Sequence, residues 1–208
     1  MSQAPNRLYY NGHGSFRLHT SDGTVIYVDP FAGDGYDEPA DFAISTHGHS
    51  DHCSFHLITN RKDGFQIFTH EDALKNGQYQ EFDMGMAHVK SVTAYNKNHA
   101  RESCVGYLIT VDDVTVYFAG DMSYMPELED LKKENITYAL WPCDGFYNMG
   151  VEEAAKCART AEPKYNVPVH TCPKEEGFYK ESVALSFPAE LNRVLVKPGE
   201  YLELFPSR

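Results

Sequence analysis

The feature that most constrains this chain of 208 residues is a cluster of potential metal ligands from His47 to His52, where the sequence reads HGHSDH. It directly follows a short apolar run at 41–45, which is typical of a buried strand. Residues two apart in an extended segment point the same way, so His47 and His49 can converge on one metal ion. A turn after them can direct Asp51 and His52 towards a second ion. Imidazole and carboxylate groups bind zinc, manganese or iron, so the cluster predicts a metal site rather than a polar loop with coincidental histidines.

Further ligands must come from elsewhere in the chain, because one cluster cannot complete two coordination spheres. Asp121 follows an apolar run, at a predicted strand end where a carboxylate can bridge two cations. The alternative for Asp121 is the N-cap of a helix near Pro126. His170 also ends a predicted strand, although a lone histidine is more often a structural residue than a ligand. Asp121 and His170 can supply the further ligands that two metal ions need, and we predict that they lie beside the first cluster.

The pattern of apolar residues and turn residues predicts a layered α/β fold of the mixed α+β type, in one domain spanning 1–208. Strands are predicted at 7–10, 15–20, 24–29, 41–45, 66–69, 88–95, 103–111, 114–119, 165–169, 193–196 and 201–205. Helices are predicted at 71–76, 126–133 and 151–160. Strands and helices are interspersed in both halves of the chain, which favours layers over a helical bundle or a pure barrel.

The composition excludes some classes of partner. A formal net charge of −12 at pH 7 would repel nucleic-acid backbones and anionic membranes, so neither is predicted as a partner. The charge does not exclude a small anionic substrate, because a bound metal ion dominates the local field. The start of the chain shows no secretory signal, and no apolar stretch is long enough for a membrane helix. Five cysteines without a C-x-x-C spacing suit free thiols in a reducing compartment, and we expect a cytoplasmic protein.

Several motifs, taken in their order along the chain, resemble the metallo-β-lactamase superfamily. The metal cluster is preceded by GHGSF at 12–16 and VDPF at 28–31, and it is followed by YFAGD at 117–121, GFYNM at 145–149 and VKPGE at 196–200. More narrowly, this order is similar to the small hydrolase branch that includes ascorbate-6-phosphate lactonase-like proteins. The resemblance spans nearly the whole chain. It implies a four-layer αβ/βα sandwich with the metals in a cleft at one edge, between two sheets.

The resemblance also implies a ligand set by position. The ligands are His47, His49, Asp51, His52, Asp121 and His170. Many relatives place one more histidine at the end of the strand after the motif, where this chain has Asn96. The nearest histidine is His99, three residues on, and we predict that His99 is the ligand. Asn96 or water in that place is the alternative, and a harder, more weakly bound ion such as manganese would then be favoured.

The predicted cofactor is a pair of divalent metal ions, with zinc as the first choice and manganese or iron as alternatives. We predict a metal-dependent hydrolase in which a metal-bridged hydroxide attacks a small-molecule substrate. Asp51 would bind one ion and orient the nucleophile, and His170 would stabilise a developing oxyanion as well as binding metal. Lactone or ester hydrolysis is the first-choice reaction, on family analogy alone. Phosphodiester hydrolysis with the same site is the nearest alternative, followed by a di-iron redox protein and a non-catalytic metal-binding scaffold.

Residues around the predicted site have alternative roles. We expect His13 and Asp29 near the metals without touching them, where Asp29 accepts a hydrogen bond from a ligand imidazole or braces the metal loop. Each of the two could equally be a turn residue. Substrate recognition is expected from the loops at 33–39, 96–102, 144–150 and 171–177. The basic residues predicted to bind an anionic group, if they do not merely solvate the surface, are Lys97, Arg101 and Lys174.

Overall fold

The computed structural model describes residues 5–206, which form fourteen strands and three α-helices. The strands are β1 (Arg7–Gly12), β2 (Ser15–His19), β3 (Val25–Val28), β4 (Ala40–Ile44), β5 (Arg61–Phe68), β6 (Leu74–Lys75), β7 (Gln78–Tyr79), β8 (Glu81–Met84), β9 (Ala87–Thr93), β10 (Val105–Val111), β11 (Val114–Phe118), β12 (Tyr138–Pro142), β13 (Tyr165–Val169) and β14 (Tyr201–Glu203). The α-helices are α1 (His70–Ala73), α2 (Val151–Ala161) and α3 (Glu181–Ser186). Short 3-10 helices lie at Phe55–Leu57, Pro126–Glu134, Lys174–Glu176 and Ala189–Leu191. No helix in this part of the chain is long and apolar enough to span a membrane.

Two six-stranded sheets make up most of the fold. The first sheet runs in the order β14–β1–β2–β3–β4–β5, and the second in the order β13–β12–β11–β10–β9–β8. Strands β3, β4 and β5 run parallel to one another, as do β11, β12 and β13, whereas the other neighbours are antiparallel. The two sheets therefore share one plan, with antiparallel strands on one side and parallel strands on the other. A separate small hairpin joins β6 to β7.

The main hydrophobic core lies between the two sheets. Leu18 and Ile26 pair on adjacent strands of the first sheet, and Ile109 and Val116 do so in the second, and all four side chains are buried in this core. Successive residues of a strand point to opposite faces, so the alternation of apolar residues turns one face of each sheet inward. Burial contributes about 25 cal/mol for each Å² of apolar surface removed from water, and this holds the sheets face to face.

The outer faces of the two sheets are covered differently. Helix α2 and the 3-10 helix Pro126–Glu134 pack over the second sheet, where small residues such as Ala154 and Ala158 allow a close approach. The outer face of the first sheet is covered by Tyr36 and by the segment around Phe55–Leu57. In the described chain that layer contains a 3-10 turn and loops in place of a long helix. The predicted layered α/β fold is confirmed, with one thin outer layer.

Some elements differ from the prediction. The helix predicted at 126–133 is a 3-10 helix, which suits its two buried leucines, Leu128 and Leu131, because residues three apart lie directly above each other in such a helix. The strand predicted at 193–196 is reduced to a single bridge between Arg193 and Asn166. The sequence patterns do not predict strand β12. Every one of its residues is buried, so it lacks the alternation of apolar and polar residues that marks a half-buried strand. The five cysteines are free thiols, as predicted.

One edge of the molecule collects many strand ends. Strands β3 and β4 are parallel neighbours in the first sheet, and β11, β12 and β13 are parallel neighbours in the second. The carboxyl ends of parallel strands meet at the same edge, and the loops that follow them form the usual ligand-binding crevice of such sheets. Both predicted metal segments, the one after β4 and the one after β13, are delivered to this edge.

Candidate metal centre

The predicted metal motif lies in the loop after β4, and a buried carboxylate braces that loop. Asp29, directly after β3, accepts hydrogen bonds from the backbone N–H and from the hydroxyl of Thr46, both at 2.7 Å. Its Oδ2 also lies 2.9 Å from Nδ1 of His52. The carbonyl of Thr46 accepts a hydrogen bond from the backbone N–H of Val105 at 2.9 Å, which ties the loop to the second sheet. The prediction that Asp29 braces the loop and hydrogen-bonds one of its imidazoles is confirmed.

A first group of possible ligand atoms, here called cluster A, consists of the imidazoles of His47, His49 and His99. Their ring nitrogens lie within 4.8 Å of one another. His47 and His99 are buried, whereas His49 is exposed. Asn96 places its Oδ1 2.8 Å from Nδ1 of His99 and so orients that ring from behind. The structure therefore brings His99 into cluster A and leaves Asn96 outside it.

A second group, here called cluster B, consists of His13, Asp51, His52 and His170. Their ligand atoms also lie within 4.8 Å of one another. His170 directly follows β13 and has a left-handed backbone, with a φ of 44°. His13 comes from the turn between β1 and β2, far from the motif in sequence. The expectation that His13 lies near the metal residues is confirmed, but its ring stands among the possible ligands of the cluster, where we expected it to stay outside.

Asp121, which follows β11, lies between the two clusters. Its Oδ2 is 3.2 Å from Nε2 of His99 in cluster A. Its Oδ1 is 3.4 Å from Nε2 of His52 and 3.5 Å from Nε2 of His170, both in cluster B. One carboxylate thus presents a separate oxygen to each cluster, which is the arrangement that bridges two cations. The alternative role as a helix N-cap is wrong, because Met125 occupies that position before the 3-10 helix.

Buried polar atoms in the two clusters lack hydrogen-bond partners among the described residues. They include Nε2 of His47, Nε2 of His52, both ring nitrogens of His13 and of His170, and Oδ1 of the neighbouring Asp121; Nδ1 of His170 has only the ion-pair contact with Asp144. Leaving such groups unpaired in a protein interior is costly unless something else binds them. Imidazole nitrogens and carboxylate oxygens are the ligands that zinc, manganese and iron accept. The residues present therefore fit a pair of metal ions.

Burial and charge set the protonation of these groups. Burial lowers the pKa of His47 well below its usual range, and the neighbouring His52 adds to the effect. Burial also opposes the charged form of His52, but the carboxylates of Asp121 and Asp29 raise the pKa of its imidazole to about 9. For Asp121, burial opposes ionisation, yet the imidazoles of His170 and His52 hold the pKa of the carboxyl well below its usual range. A buried carboxylate that stays ionised between imidazoles attracts cations.

Asp144 is a site residue that the sequence patterns do not single out beyond its place in the loop at 144–150. Its Oδ2 lies 3.0 Å from Nδ1 of His170, and its carboxylate is completely buried. Such a contact fixes the ring orientation of a metal-binding histidine. The available signal is an acidic residue just beyond a fully apolar run, the same context in which Asp29 and Asp121 occur.

Two glycines allow the close packing around the centre. A Cβ atom at Gly14 would lie 2.8 Å from Cε1 of His52, closer than side chains tolerate. Gly120 has a left-handed φ of 64°, and a Cβ there would lie 3.0 Å from the Cβ of Thr46. Only a residue without a side chain meets both demands at Gly120.

A cleft of about 440 Å³ opens over the two clusters. Besides Asp121 and residues of the clusters, it is lined by Ser50, Asn98, Tyr147, Lys174 and Glu175. Lys174 places its Nζ 3.3 Å from Oδ1 of Asp51. Of the three basic residues predicted to bind an anion, Lys174 alone lines the cleft, while Arg101 forms an ion pair with Glu127 at 2.6 Å.

Comparison with known proteins agrees with this centre. Residues 7–170 match the family model described as a β-lactamase superfamily domain. A UPF0173 metal-dependent hydrolase of Geobacillus sp. strain WCH70 is 30% identical over 230 residues, which cover 95% of this chain and 100% of that protein. A crystal structure described as a metal-dependent hydrolase from Parabacteroides distasonis has a TM-score of 0.73 at 30% identity, over 90% of this chain and 91% of that one.

A more distant structure shares the fold. The metallo hydrolase Igni18 from Ignicoccus hospitalis has a TM-score of 0.72 at 22% identity, over 99% of this chain and 100% of that one. The family match covers most of the chain, and the relative from Geobacillus aligns with nearly all of it. The predicted resemblance to the metallo-β-lactamase superfamily and the sandwich fold are confirmed, whereas the narrower lactonase-like branch stays a prediction. The chain therefore belongs to the metallo-β-lactamase superfamily, within a group of metal-dependent hydrolases.

Proposed function

We propose that the protein hydrolyses the ester bond of a small substrate, a lactone or a linear ester, using two divalent metal ions. The supporting observation is the position of Asp121, whose two oxygens face separate clusters at 3.2 to 3.5 Å. One ion would be held by His47, His49 and His99, the other by Asp51, His52 and His170, and Asp121 would bridge them. When bound, such a pair lowers the pKa of a water molecule and polarises the oxygen of the bond that is cleaved.

Asp51 is the residue best placed to orient the attacking group. Its carboxylate lines the cleft, with Oδ1 near Lys174 and Oδ2 3.4 Å from Nε2 of His13. Burial opposes ionisation, but the imidazoles of His13 and His52 lower the pKa of the Asp51 carboxyl. Asp51 therefore stays an anionic hydrogen-bond acceptor at neutral pH, as a group that aligns a water or hydroxide must.

The role of oxyanion donor fits Lys174 better than His170. A donor must direct an N–H towards the oxygen that gains charge. Nδ1 of His170 lies 3.0 Å from Asp144, and its Nε2 lies 3.5 Å from Asp121. Both nitrogens thus face carboxylates, which favours the ligand role for His170. Lys174 lines the cleft, and its ammonium group has three N–H donors, of which the contact with Asp51 at 3.3 Å uses one.

The residues that line the cleft indicate which kind of substrate fits. Tyr147 provides an aromatic wall and Lys174 a single positive charge, so a small molecule with an apolar part fits, and a carboxylate or phosphate on it would pair with Lys174. A phosphodiester is the second candidate, because Lys174 could neutralise its charge. The chain's net charge of −12 disfavours polyanions as substrates.

The test is reconstitution of metal-stripped protein with zinc, manganese or ferrous iron, followed by a screen of lactones, esters, thioesters and phosphodiesters. We expect two equivalents of bound metal and metal-dependent ester hydrolysis. Asp121→Asn should abolish most of the turnover, whereas Asp130→Asn, an exposed residue paired with Lys133, should not. Ester hydrolysis that survives metal removal, or that is unchanged by Asp121→Asn, would contradict the proposal. Stoichiometric iron without any hydrolysis would favour the redox alternative.

A further inference from the structure

We propose that His13 is a fifth protein ligand of the ion in cluster B, a proposal that rests on the two-metal site proposed above. His13 stands in the turn between β1 and β2 with a left-handed φ of 52°. Its side chain is fully buried, at 0% exposure, and its ring lies with the three other members of cluster B. A structural histidine in such a position normally has hydrogen-bond partners on its ring.

The backbone of His13 fixes the direction of its ring. Its N–H donates to the carbonyl of Phe178 at 2.7 Å, and its carbonyl accepts from the backbone N–H of His170 at 3.0 Å and from the hydroxyl of Tyr10 at 2.9 Å. The centroids of the His13 and His170 rings are 3.6 Å apart. The turn is therefore fastened directly to a predicted ligand, and the two rings enter cluster B side by side.

The contacts that imidazole nitrogens make with oxygens around the centre fall into two ranges of distance. The contacts that orient a ring from behind are short: 2.9 Å for Asp29 and His52, 3.0 Å for Asp144 and His170, and 2.8 Å for Asn96 and His99. The gaps between groups proposed to share one ion are longer: 3.4 Å for His52 and Asp121, 3.5 Å for His170 and Asp121, and 3.2 Å for His99 and Asp121. The gap between Nε2 of His13 and Oδ2 of Asp51 is 3.4 Å, which belongs to the second range.

Coordination geometry explains the longer range. Two atoms that each lie about 2.1 Å from one ion, at an angle of about 90° to 110°, are separated by about 3.0 to 3.4 Å. An N–H···O hydrogen bond usually spans about 2.7 to 3.2 Å. The separation of His13 from Asp51 thus matches two ligands of one ion better than a hydrogen bond. Neither ring nitrogen of His13 has another partner among the described residues, and the ring packs on its edge against Phe31.

With His13 as a fifth ligand, the two metal positions differ in their number of protein ligands. Cluster A with Asp121 offers four protein ligands, the number that zinc prefers. Cluster B with Asp121 offers five when His13 is included, which leaves one open position on a six-coordinate ion. Manganese and ferrous iron accept six ligands more readily than zinc does. We therefore expect manganese or ferrous iron to be favoured at cluster B.

The test is metal binding by the full-length protein after metal removal, titrated with Mn²⁺ and followed by the EPR signal of free Mn²⁺. A parallel titration with Co²⁺ reports coordination number through its visible spectrum. His13→Gln should weaken one of the two binding steps by at least about 10-fold and shift the Co²⁺ spectrum towards a lower coordination number. The control is His88→Gln, since His88 is exposed and pairs with Asp83 on a remote strand; it should bind both ions as the unaltered protein does.

Unchanged affinity and an unchanged Co²⁺ spectrum in His13→Gln would overturn the proposal and make His13 a hydrogen-bond donor to Asp51. A second measurement needs no variant: in crystals of the unaltered protein soaked in Mn²⁺, an anomalous peak should lie about 2.0 to 2.3 Å from Nε2 of His13. A peak in cluster B beyond bonding distance of that nitrogen would also overturn it. Unaltered protein that binds no metal would instead refute the two-metal site, and this proposal with it.

Discussion

Nδ1 of His170 lies 3.0 Å from Oδ2 of Asp144, a carboxylate that is completely buried. The other oxygen, Oδ1, accepts hydrogen bonds from the backbone N–H groups of Phe146 and Tyr147 at 2.6 and 2.7 Å. One carboxylate therefore orients a ring of cluster B and shapes the aromatic rim of the cleft. Asn96 does the same for cluster A, since it contacts His99 and donates a hydrogen bond to the carbonyl of Tyr147 at 3.2 Å. The aromatic rim, formed by Phe146 and Tyr147, is therefore hydrogen-bonded to the residues that orient both clusters.

Asp144→Asn should weaken metal binding by about 10- to 100-fold, because His170 would lose the carboxylate that orients its ring. The affinity can be measured by competition with a chelator. Asp130→Asn removes an exposed carboxylate outside the site and should leave the affinity unchanged. If Asp144→Asn binds both ions as tightly as the unaltered protein, Asp144 does not act through His170.

Lys174→Met should raise the KM for esters that carry a carboxylate by about 10-fold, the effect of losing one charge-assisted contact of about 1.4 kcal/mol. The KM for a neutral ester of similar size should change little, whereas loss of the proposed oxyanion donor should lower kcat for both esters. Lys133→Met, which removes an exposed lysine paired with Asp130, serves as the matched control. Equal changes in KM for charged and neutral esters would show that Lys174 does not recognise an anionic group.

Phe146→Ser should raise the KM for esters with an aromatic acyl group by about 3- to 10-fold, since an aromatic pair contributes roughly 0.5 to 1.5 kcal/mol. Phe146 is 64% exposed, and its ring lies 4.7 Å from that of Tyr147, which lines the cleft. Acetyl esters, too small to reach the rim, should be hydrolysed as before. Phe205→Ser removes a 56% exposed phenylalanine away from the cleft and should alter neither substrate. A loss that is the same for acetyl and aromatic esters would argue against an apolar subsite.

Gly14→Ala should destabilise the protein by about 1 to 3 kcal/mol, the usual cost of overpacking, and should weaken metal binding. The added Cβ would lie 2.8 Å from Cε1 of His52, a ring already held by Asp29. Urea unfolding and metal titration measure the two effects. Gly150→Ala is the control, because its Cβ would have no neighbour closer than 3.9 Å. Equal behaviour of the two variants would mean that His52 moves aside without cost.

The metal-free protein should lose stability as the pH falls from about 6.5 to 4, with a contribution from His19. Burial, together with the charge of Arg17, lowers the pKa of His19 from 6.5 to about 4. Between those values the unfolded chain binds more protons than the folded one, so stability rises with pH in this window and falls as the solution is acidified. The full shift corresponds to about 3 kcal/mol, and partial exposure reduces it to about 1 kcal/mol.

Urea unfolding of metal-stripped protein at several pH values measures this contribution. In His19→Gln the residue no longer titrates, so the loss of stability between pH 6.5 and 4 should be smaller by that amount. Identical pH profiles for the two proteins would exclude a role for His19.

The metal motif could be predicted because its parts are adjacent in the chain. His47, His49, Asp51 and His52 lie within six residues, directly after an apolar run. In the structure the motif lies in bends and a turn after β4, and His47 and His49 still share cluster A as predicted. Asp121 and His170 could be added because each stands at the end of an apolar run. The choice of His99 over Asn96 rested on residue chemistry, and the structure shows why both matter: one ring lies in cluster A and the amide orients it.

The contacts of His13 and Asp144 with His170 depend on tertiary structure alone. Their side chains reach His170 because β1, β12 and β13 come together across two sheets, and sequence periodicity carries no signal for that meeting. Local sequence determined which residues can bind metal, since residue type and spacing decide that. Only the packing of the sheets decided which of them lie together in one cluster and which orient a neighbour, because residues far apart in the sequence meet only when the strands pack.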